Sequence, residues 1–287
     1  MDNIIKKIGI ISKPRKSDAG PVLSDLVRWL KERGIEPLMD QETAGLIDFD
    51  SPHKRPDIAA LSDIILVLGG DGTLISVARL IGSRGTPILG VNLGSLGFLT
   101  EVTLDEMYPL LEKILVGEIR IDERWTLEAS VQRGDKELAK YTVLNDVVIN
   151  KGALARMILM ETVIDGKYLN TYRADGLIIS TPTGSTAYSL STGGPIIHPK
   201  VGAIIISPIC PHTITNRPIV VREDVMVEVT LRTENEDMLV TLDGQEGYPL
   251  QYLDKVVVKK SANVIRLITS PDKDYYEVLR QKLRWGV

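Results

Sequence analysis

Three glycines around one acid form the strongest local indication of chemistry in this chain. The run Gly69-Gly70-Asp71-Gly72-Thr73 stands between an apolar run, Ile64–Leu68, and a helical pattern. Glycine permits positive φ and close backbone approach, so consecutive N–H groups at a helix start can face a phosphate. A carboxylate there repels a bound phosphate, but it is useful if Asp71 accepts a proton from an attacking hydroxyl or helps to hold a metal. A tight turn in which Asp71 only caps the helix is the alternative.

The glycine-rich run lacks the features of three common nucleotide-binding motifs. The sequence G-x-x-x-x-G-K-[ST] is absent from the chain, which excludes a P-loop NTPase. Position 75 is Ile, where the dinucleotide-binding fingerprint G-x-G-x-x-G requires a glycine. The signature set of the protein kinases is missing as well.

Two further segments follow apolar runs that predict strands. Gly90–Phe98 (GVNLGSLGF) is rich in glycine, and Ser180–Ser189 (STPTGSTAYS) is crowded with hydroxyl groups. Hydroxyls both donate and accept hydrogen bonds, which suits ribose and base edges, and the Tyr188 ring can pack against a base. Arg173 and Asp175, which stand before the second segment, can meet phosphate and amide groups. Ordinary structural or surface loops are the alternative for both segments.

Two polar residues, Asn145 and Asp146, interrupt an otherwise apolar run, Val143–Ile149. Burying an amide without a partner costs roughly 2–7 kcal/mol, and burying a carboxylate costs more. A strand end that holds ribose hydroxyls explains the pair, while a bulge or a surface corner is the alternative. Further along the chain, Asp243-Gly244-Gln245 is compatible with a plain hairpin turn.

Strand and helix patterns alternate in the first part of the chain. Apolar runs at Lys7–Ser12, Ile64–Leu68 and Pro87–Val91 are separated by helical patterns, which predicts an α/β domain with an open, mostly parallel sheet over residues 1–122. Thr103–Glu106 fits a capping box that starts a further helix. The polar stretch Gln41–Asp57 has no periodicity, and we expect it to be a mobile loop.

A period of two begins near Ile121 and predicts an all-β, sandwich-like domain over residues 123–270. Asp165-Gly166, between two such runs, is typical of a two-residue hairpin turn. The pattern becomes helical again at Asp274–Arg284, with an apolar face formed by Tyr276, Leu279 and Leu283. Because that face needs a partner, we expect segment 271–287 to pack back on the first domain.

Composition limits the class of protein. The 287 residues are 44% hydrophobic and 25% charged, which indicates a sizeable core rather than a disordered or fibrous chain. With 34 Lys and Arg against 38 Asp and Glu, no basic excess indicates a nucleic acid or a membrane as partner. Cys210, the single cysteine, is expected to be a buried thiol, and the sequence lacks a signal peptide and long apolar runs. We therefore expect a cytoplasmic protein.

Taken together, these motifs closely resemble those of the NAD kinase family. The resemblance spans nearly the whole chain, in the same order and at matching spacing, and rests on Gly69–Thr73, Asn92–Glu101, Leu144–Ile149, Tyr172–Pro199 and Asp243–Gln245. GGDGT alone also occurs in diacylglycerol and sphingosine kinases and in 6-phosphofructokinases, whereas the TPTGSTAYSLSTGGP block is far more specific. The resemblance implies a Rossmann-like α/β domain, a β-sandwich-like domain and homodimers or homotetramers. It also implies transfer of the γ-phosphoryl group of ATP, with Mg²⁺, to the 2′-hydroxyl of the adenosine ribose of NAD.

The resemblance implies roles for individual residues too. Asp71 corresponds to the proton acceptor. The Asn-Glu pair of the family, which contacts ribose and adenine, falls on Asn145-Asp146, where the second residue is the shorter Asp. The Arg and Asp of the YRADG motif correspond to Arg173 and Asp175. The other predicted NAD contacts are Arg156, Gln245 and the segment Thr186, Ala187, Tyr188, Ser189, Leu190 and Ser191.

Two other functions would use some of the same features. A lipid or sphingoid kinase would share the GGDG turn, but it would need an apolar pocket, whereas segment 180–192 is rich in hydroxyls. A regulator that binds NAD without catalysis gains nothing from an acid beside phosphates, so the presence of Asp71 disfavours it.

Overall fold

The computed structural model describes residues 5–12, 19–152, 156–234 and 237–286. The chain divides into two compact units, the first formed by Met1–Glu123 with Val264–Val287 and the second by Arg124–Asn263. The chain enters the second unit within one strand, Ile121–Arg133, and leaves it within another, Lys255–Ile268. Both ends of the chain therefore belong to the first unit.

The first unit is an α/β fold around a parallel sheet. Its strands are β1 (Lys7–Ser12), β2 (Glu36–Met39), β3 (Ile64–Leu68) and β4 (Ile88–Val91), in the order β2-β1-β3-β4. The residues Leu267–Ile268 pair with β4, also in parallel. All five residues of β3 are buried, as in parallel strands that helices cover on both faces. The predicted open, mostly parallel sheet is confirmed.

Five helices connect the strands of the first unit: α1 (Ala19–Glu32), α2 (Gln41–Ala44), α3 (Arg55–Leu61), α4 (Asp71–Ile81) and α5 (Leu104–Leu115). The capping box predicted at Thr103 and Glu106 starts α5. The expectation of a loop over Gln41–Asp57 is wrong, because α2 and the start of α3 lie there. Asp40 caps α2 by accepting a hydrogen bond from the Thr43 N–H, and both helices are too short to produce a clear helical period.

The second unit is an antiparallel β-sandwich. Its strands in chain order are β5 (Ile121–Arg133), β6 (Lys136–Val143), β7 (Asp146–Lys151), β8 (Ile158–Ile164), β9 (Lys167–Ala174), β10 (Gly176–Ser180), β11 (Ala203–Ile209), β12 (Ile219–Arg222), β13 (Val227–Leu231), β14 (Met238–Leu242), β15 (Glu246–Leu250) and β16 (Lys255–Ile268), and a short helix α6 spans Tyr188–Ser191. One sheet has the order β12-β11-β10-β7-β14-β15, and the other contains β16-β13-β8-β9 with β5 and β6. Residues of both sheets, such as Leu127 and Ile179, share one aliphatic core. The predicted sandwich-like domain is confirmed.

Two local predictions in the second unit have opposite outcomes. Asp165 and Gly166 join β8 to β9 with φ values of 48° and 74°, as a two-residue hairpin turn requires. The prediction of a buried Cys210 is wrong, because the side chain is exposed. The buried strand β11 ends at Ile209, one residue earlier.

The C-terminal helix α7 (Tyr275–Leu283) belongs to the first unit. Its buried residues are Val278 and Leu279, whereas Tyr276, which the sequence analysis placed on the apolar face, is 59% exposed. Just before the helix, the Lys273 ammonium donates to the Glu101 carbonyl at 2.8 Å and to the Glu106 carboxylate at 2.7 Å. None of the described helices is long and apolar enough to span a membrane.

Candidate active site

Asp71 is the first residue of α4, where β3 gives way to the helix. Gly70 precedes it with extended backbone, and none of the glycines at 69, 70 and 72 has a positive φ. The turn therefore does not use the positive φ that glycine permits. Gly69 is closely packed, because a Cβ there would lie 2.9 Å from the Thr73 hydroxyl, whereas a Cβ at Gly70 would meet no atom within 4 Å. The backbone at Gly70 is thus open to a ligand.

Both oxygens of the Asp71 carboxylate accept hydrogen bonds from the glycine-rich segment that follows β4. Oδ2 accepts from the Phe98 N–H at 2.8 Å. Oδ1 accepts from the N–H groups of Leu99 and Thr100 and from the Thr100 hydroxyl, each at 3.0 Å. A Cβ at Gly97 would collide with Oδ1. The sequence analysis missed these partners, and the only signal for them was the glycine at position 97.

These contacts bear on the alternative in which Asp71 merely caps its own helix. The N-terminus of α4 has no side-chain cap hydrogen bond, and the Asp71 carboxylate bonds residues that are 27 to 29 positions away instead. The arrangement holds a carboxylate in one orientation beside the start of a helix. Such a group is suited to accept a proton from a ligand bound there.

In the second unit, Asn145 and Asp146 lie where β7 begins. The Asp243 carboxylate, from the turn between β14 and β15, accepts hydrogen bonds from the N–H groups of Leu144 at 3.1 Å, Asn145 at 2.6 Å and Asp146 at 3.3 Å. From the hydroxyl-rich segment, the Thr181 hydroxyl donates to the Leu144 carbonyl at 2.6 Å. Asp243 was not predicted as a site residue, although the turn that contains it was noted.

A cavity of about 260 Å³ opens beside this pair, and its polar lining includes Asn145, Asp146, Asn150, Tyr188 and Asp243. The Oδ1 atoms of Asn145 and Asn150 are buried there without a hydrogen-bond partner among the described residues. Buried polar atoms are nearly always paired in folded proteins. The two unpaired acceptors therefore make this part of the second unit a candidate binding site.

The Asp146 carboxyl has an unusual pKa. Burial raises it, the neighbouring Asp243 carboxylate raises it further, and the hydrogen bond from the Tyr188 N–H lowers it, with a resulting pKa of about 7. Near neutral pH this group can therefore act as a hydrogen-bond donor as well as an acceptor.

A second, wider cavity of about 680 Å³ is lined by Lys151, Arg156, Arg173 and Asp175, among others. Lys151 is the last residue of β7 and pairs with Asp175 at 3.1 Å. Because β7 has six residues, its ends are about 17 Å apart at roughly 3.3 Å per residue. The predicted site residues of this unit thus form two groups, one at each end of the same strand.

The segment at residues 186–191 is only partly directed toward a cavity. Ala187 and Tyr188 line the smaller cavity. The Thr186 hydroxyl donates to the Thr183 carbonyl at 3.3 Å, and the Ser189 hydroxyl is buried against Ser207 at 3.3 Å. Leu190 is half-buried, and Ser191 and Gln245 are exposed. Much of the hydroxyl content that suggested binding therefore stabilises the segment itself.

Comparison with known proteins identifies the family. Residues 8–119 match the ATP-NAD kinase N-terminal domain, and residues 144–270 match the ATP-NAD kinase C-terminal domain. The chain belongs to the NAD kinase family.

Relatives within this family match over nearly their full length. The NAD kinase of Geotalea daltonii is 54% identical and that of Geobacter sulfurreducens 55%, each match covering 98% of this chain and 99% of the relative. Among solved structures, yeast NADH kinase complexed with NADH has a TM-score of 0.90 at 25% identity and covers 99% of this chain and 89% of its own. An NAD kinase from Archaeoglobus fulgidus in complex with ATP has a TM-score of 0.78 at 23% identity. The match covers 97% of this chain and 98% of the Archaeoglobus chain, and it supports the fold.

Membership in the NAD kinase family establishes the activity. The chain is an enzyme that phosphorylates NAD to NADP, with ATP and NAD as its substrates. This activity excludes the lipid kinase and the NAD-binding regulator without catalysis, the two alternatives that the sequence left open.

Proposed function

We propose that this NAD kinase uses Asp71 to accept the proton of the adenosine ribose 2′-hydroxyl as that oxygen attacks the γ-phosphoryl group of ATP. The supporting observation is the unequal use of its two carboxylate oxygens. Oδ1 accepts three hydrogen bonds, whereas Oδ2 accepts one. Since a carboxylate oxygen has about two lone-pair sites, Oδ2 is the atom that keeps capacity for a proton.

The adenosine half of NAD is assigned to the smaller cavity beside β7. Its two unpaired amide oxygens, on Asn145 and Asn150, match the donors of an adenine amino group and of ribose hydroxyls. The Asp146 carboxyl can pair with either a donor or an acceptor of the ribose, because its pKa is about 7. Tyr188 lines the same cavity and offers a ring for packing against the base.

The other half of NAD is assigned to the wider cavity at the far end of β7. Arg156 and Arg173 provide cationic donors for the diphosphate, and Asp175 provides an acceptor for the carboxamide of the nicotinamide. The smaller cavity is lined along β7 as far as Asn150, the residue before Lys151 of the wider cavity, so the two cavities are neighbours along this strand. The solved relative from yeast holds NADH, a ligand of the same shape.

The ATP phosphates are assigned to the turn Gly69–Thr73 at the start of α4, where the helix dipole favours anions and the space beside Gly70 is open. Mg²⁺ usually binds substrate phosphates with only one or two carboxylates and several waters, so it would arrive with ATP. The ion would neutralise phosphate charge during transfer.

Asp71→Asn tests the role of Asp71 in catalysis. Loss of a general base lowers turnover by about 10²- to 10⁴-fold, so we expect kcat to fall by at least about 100-fold. NAD binding, measured by calorimetry, is expected to stay within about threefold, because the predicted NAD contacts lie in the second unit. NADP formation is counted with an NADP-specific dehydrogenase at saturating Mg-ATP and NAD.

Asp105→Asn is the matched control, since Asp105 also lies in the first turn of a helix but is exposed and outside the site. It should leave kcat unchanged. Retained turnover in Asp71→Asn, or loss of NAD binding without loss of turnover at saturating NAD, would contradict the proton-acceptor role.

The homodimer or homotetramer implied by the resemblance stays a prediction, which light scattering of the purified protein measures.

A further inference from the structure

One short turn of the first unit, Gly97–Thr100, provides hydrogen bonds to the Asp71 carboxylate. The sequence motifs gave this turn no role in catalysis. We propose that Thr100 is a positioning residue for the phosphoryl transfer: its hydroxyl fixes the Asp71 carboxylate so that Oδ2 is the oxygen presented to the substrate hydroxyl. The proposal rests on the proposed function of Asp71. It adds a residue that acts through Asp71 without touching the substrate.

The hydroxyl of Thr100 has a single role among the described contacts. It donates to Asp71 Oδ1 at 3.0 Å, and the Thr100 side chain is 0% exposed, so water cannot replace it. With the N–H groups of Leu99 and Thr100, the hydroxyl brings the number of donors on Oδ1 to three. Because the oxygen at the Oδ1 position accepts three hydrogen bonds, the carboxylate plane cannot rotate without breaking several of them.

Thr100 is itself held in place from β4. Asn92, directly after β4, donates through Nδ2 to the Thr100 carbonyl at 3.3 Å and to the Val102 carbonyl at 3.0 Å. The Gly97 N–H donates to the Thr100 carbonyl at 3.1 Å, which closes the turn. A path of hydrogen bonds therefore runs from a buried strand through Asn92 and Thr100 to Asp71. Catalytic groups need this kind of support, because small displacements of a reacting atom reduce rates strongly.

Gly97 gives the same turn a steric requirement. A Cβ at this position would collide with Asp71 Oδ1 and with the Thr100 hydroxyl. Residue 97 must therefore lack a side chain if the carboxylate and the hydroxyl are to meet. In this turn Thr100 donates a hydrogen bond to Asp71 Oδ1, and Gly97 leaves the space that this oxygen occupies.

The test compares Thr100→Val, which keeps the shape and removes the hydroxyl, with Thr100→Ser, which keeps the hydroxyl. We expect Thr100→Val to lower kcat about 10- to 100-fold, with the KM values for NAD and ATP within about threefold of wild type. Thr100→Ser should recover kcat to within about threefold. Thr103→Val is the matched control: its hydroxyl bonds Glu106 rather than Asp71, so kcat should stay unchanged.

The outcomes separate this proposal from the role of Asp71. If Asp71→Asn keeps its turnover, the proton-acceptor role fails and the Thr100 proposal fails with it. If Asp71→Asn loses turnover while Thr100→Val retains kcat within about twofold, only the Thr100 proposal is overturned. Equal losses in Thr100→Val and Thr100→Ser would also overturn it, since packing rather than the hydroxyl would then matter. Should Thr100→Val fail to fold, Thr100→Ala against Thr100→Ser makes the same comparison.

Discussion

Two carboxylates among the predicted site residues, Asp71 of the first unit and Asp146 of the second, lie in opposite surroundings. Asp71 accepts hydrogen bonds from three backbone N–H groups and one hydroxyl. Asp146 is buried beside a second carboxylate, that of Asp243, and receives one hydrogen bond, from the Tyr188 N–H. At Asp146, burial and a like charge favour the protonated form. The two residues therefore differ in their surroundings: donors hold the Asp71 carboxylate in one orientation, while the Asp146 carboxyl can both donate and accept a hydrogen bond near neutral pH.

The raised pKa of Asp146 predicts a pH-dependent cost to stability. The folded pKa is about 7 against an ordinary 3.8, so the folded chain retains a proton that the unfolded chain releases. The free energy of unfolding therefore falls as pH rises from about 4 to about 7, and the full cost applies above about 7. Asp146→Asn removes the ionisable group. At pH 8 we expect the variant to be more stable than wild type by up to about 4 kcal/mol, at 1.36 kcal/mol per pKa unit.

Urea unfolding at several pH values between 5 and 8 measures this effect. The gain in stability of Asp146→Asn should shrink as the pH is lowered. Asp105→Asn, an exposed aspartate, provides the control and should show no such trend. A difference between Asp146→Asn and wild type that stays constant over this range would contradict the prediction.

At the scale of elements, the hydroxyl-rich segment is a support for the start of β7. The 3₁₀ turn Thr183–Thr186 lies against Asn145, and a Cβ at Gly184 would collide with the Asn145 backbone carbonyl. The Ser180 hydroxyl donates to that carbonyl at 3.1 Å, and the Thr181 N–H donates to it at 2.9 Å. Backbone cannot yield as a flexible side chain can, so the turn and the strand must separate if residue 184 gains a side chain.

Gly184→Ala is therefore expected to displace Asn145 from the cavity. We predict at least a tenfold rise in the dissociation constant for NAD, about 1.4 kcal/mol, and a loss of about 1–3 kcal/mol of stability from overpacking. Calorimetric titration with NAD and urea unfolding measure the two effects. Gly247→Ala is the control, because its Cβ would meet only Leu239, at 3.4 Å. Unchanged NAD affinity in Gly184→Ala would contradict this role of the turn.

At the scale of the whole molecule, the first unit is formed by two segments that are far apart in the sequence. The first unit is completed by residues from Val264 onward, after the chain has passed through the whole second unit. The helix α7 buries Val278 and Leu279, and Lys273 joins the preceding segment to Glu106 of α5. The site around Asp71 therefore belongs to a unit that is complete only when the C-terminal segment is in place.

We predict that Leu279→Ala lowers the free energy of unfolding by about 2–5 kcal/mol, the usual cost of removing a buried leucine side chain. Leu279 is 4% exposed, whereas Tyr276 on the same helix is 59% exposed. Tyr276→Ala should accordingly change stability by about 0.5 kcal/mol or less, as is usual for exposed positions. Urea unfolding of the two variants gives the comparison, and equal effects would show that α7 is not part of the core of the first unit.

The features that the sequence alone predicted are those that neighbouring residues determine. Leu23, Leu26, Val27 and Leu30 have the i, i+3, i+4, i+7 spacing of one helix face, and all four are buried in α1. The capping box at Thr103 and the Asp165-Gly166 turn were also found, because hydroxyl capping and positive φ depend on a few adjacent residues. Apolar residues recur with a helical period of 3.6 in the first part of the chain and with a period of two after about Ile121, which distinguished the α/β part from the sandwich. The motif order was sufficient to identify the NAD kinase family.

What the tertiary structure alone decided is which distant residues meet. The turn that holds Asp71 comes from 27 to 29 residues further along the chain, and Asp243 reaches the Asn145 N–H from 98 residues away. The glycines at 69, 70 and 72 stay predicted site residues and do not use the positive φ that glycine permits, while Asn150 was indicated only by the cavity that it lines. Local patterns record the preferences of adjacent residues, but a contact between distant residues depends on the path of the chain between them. The sequence therefore determined the family, most of the elements and the candidate residues, while the folded chain decided which distant donors hold the Asp71 carboxylate.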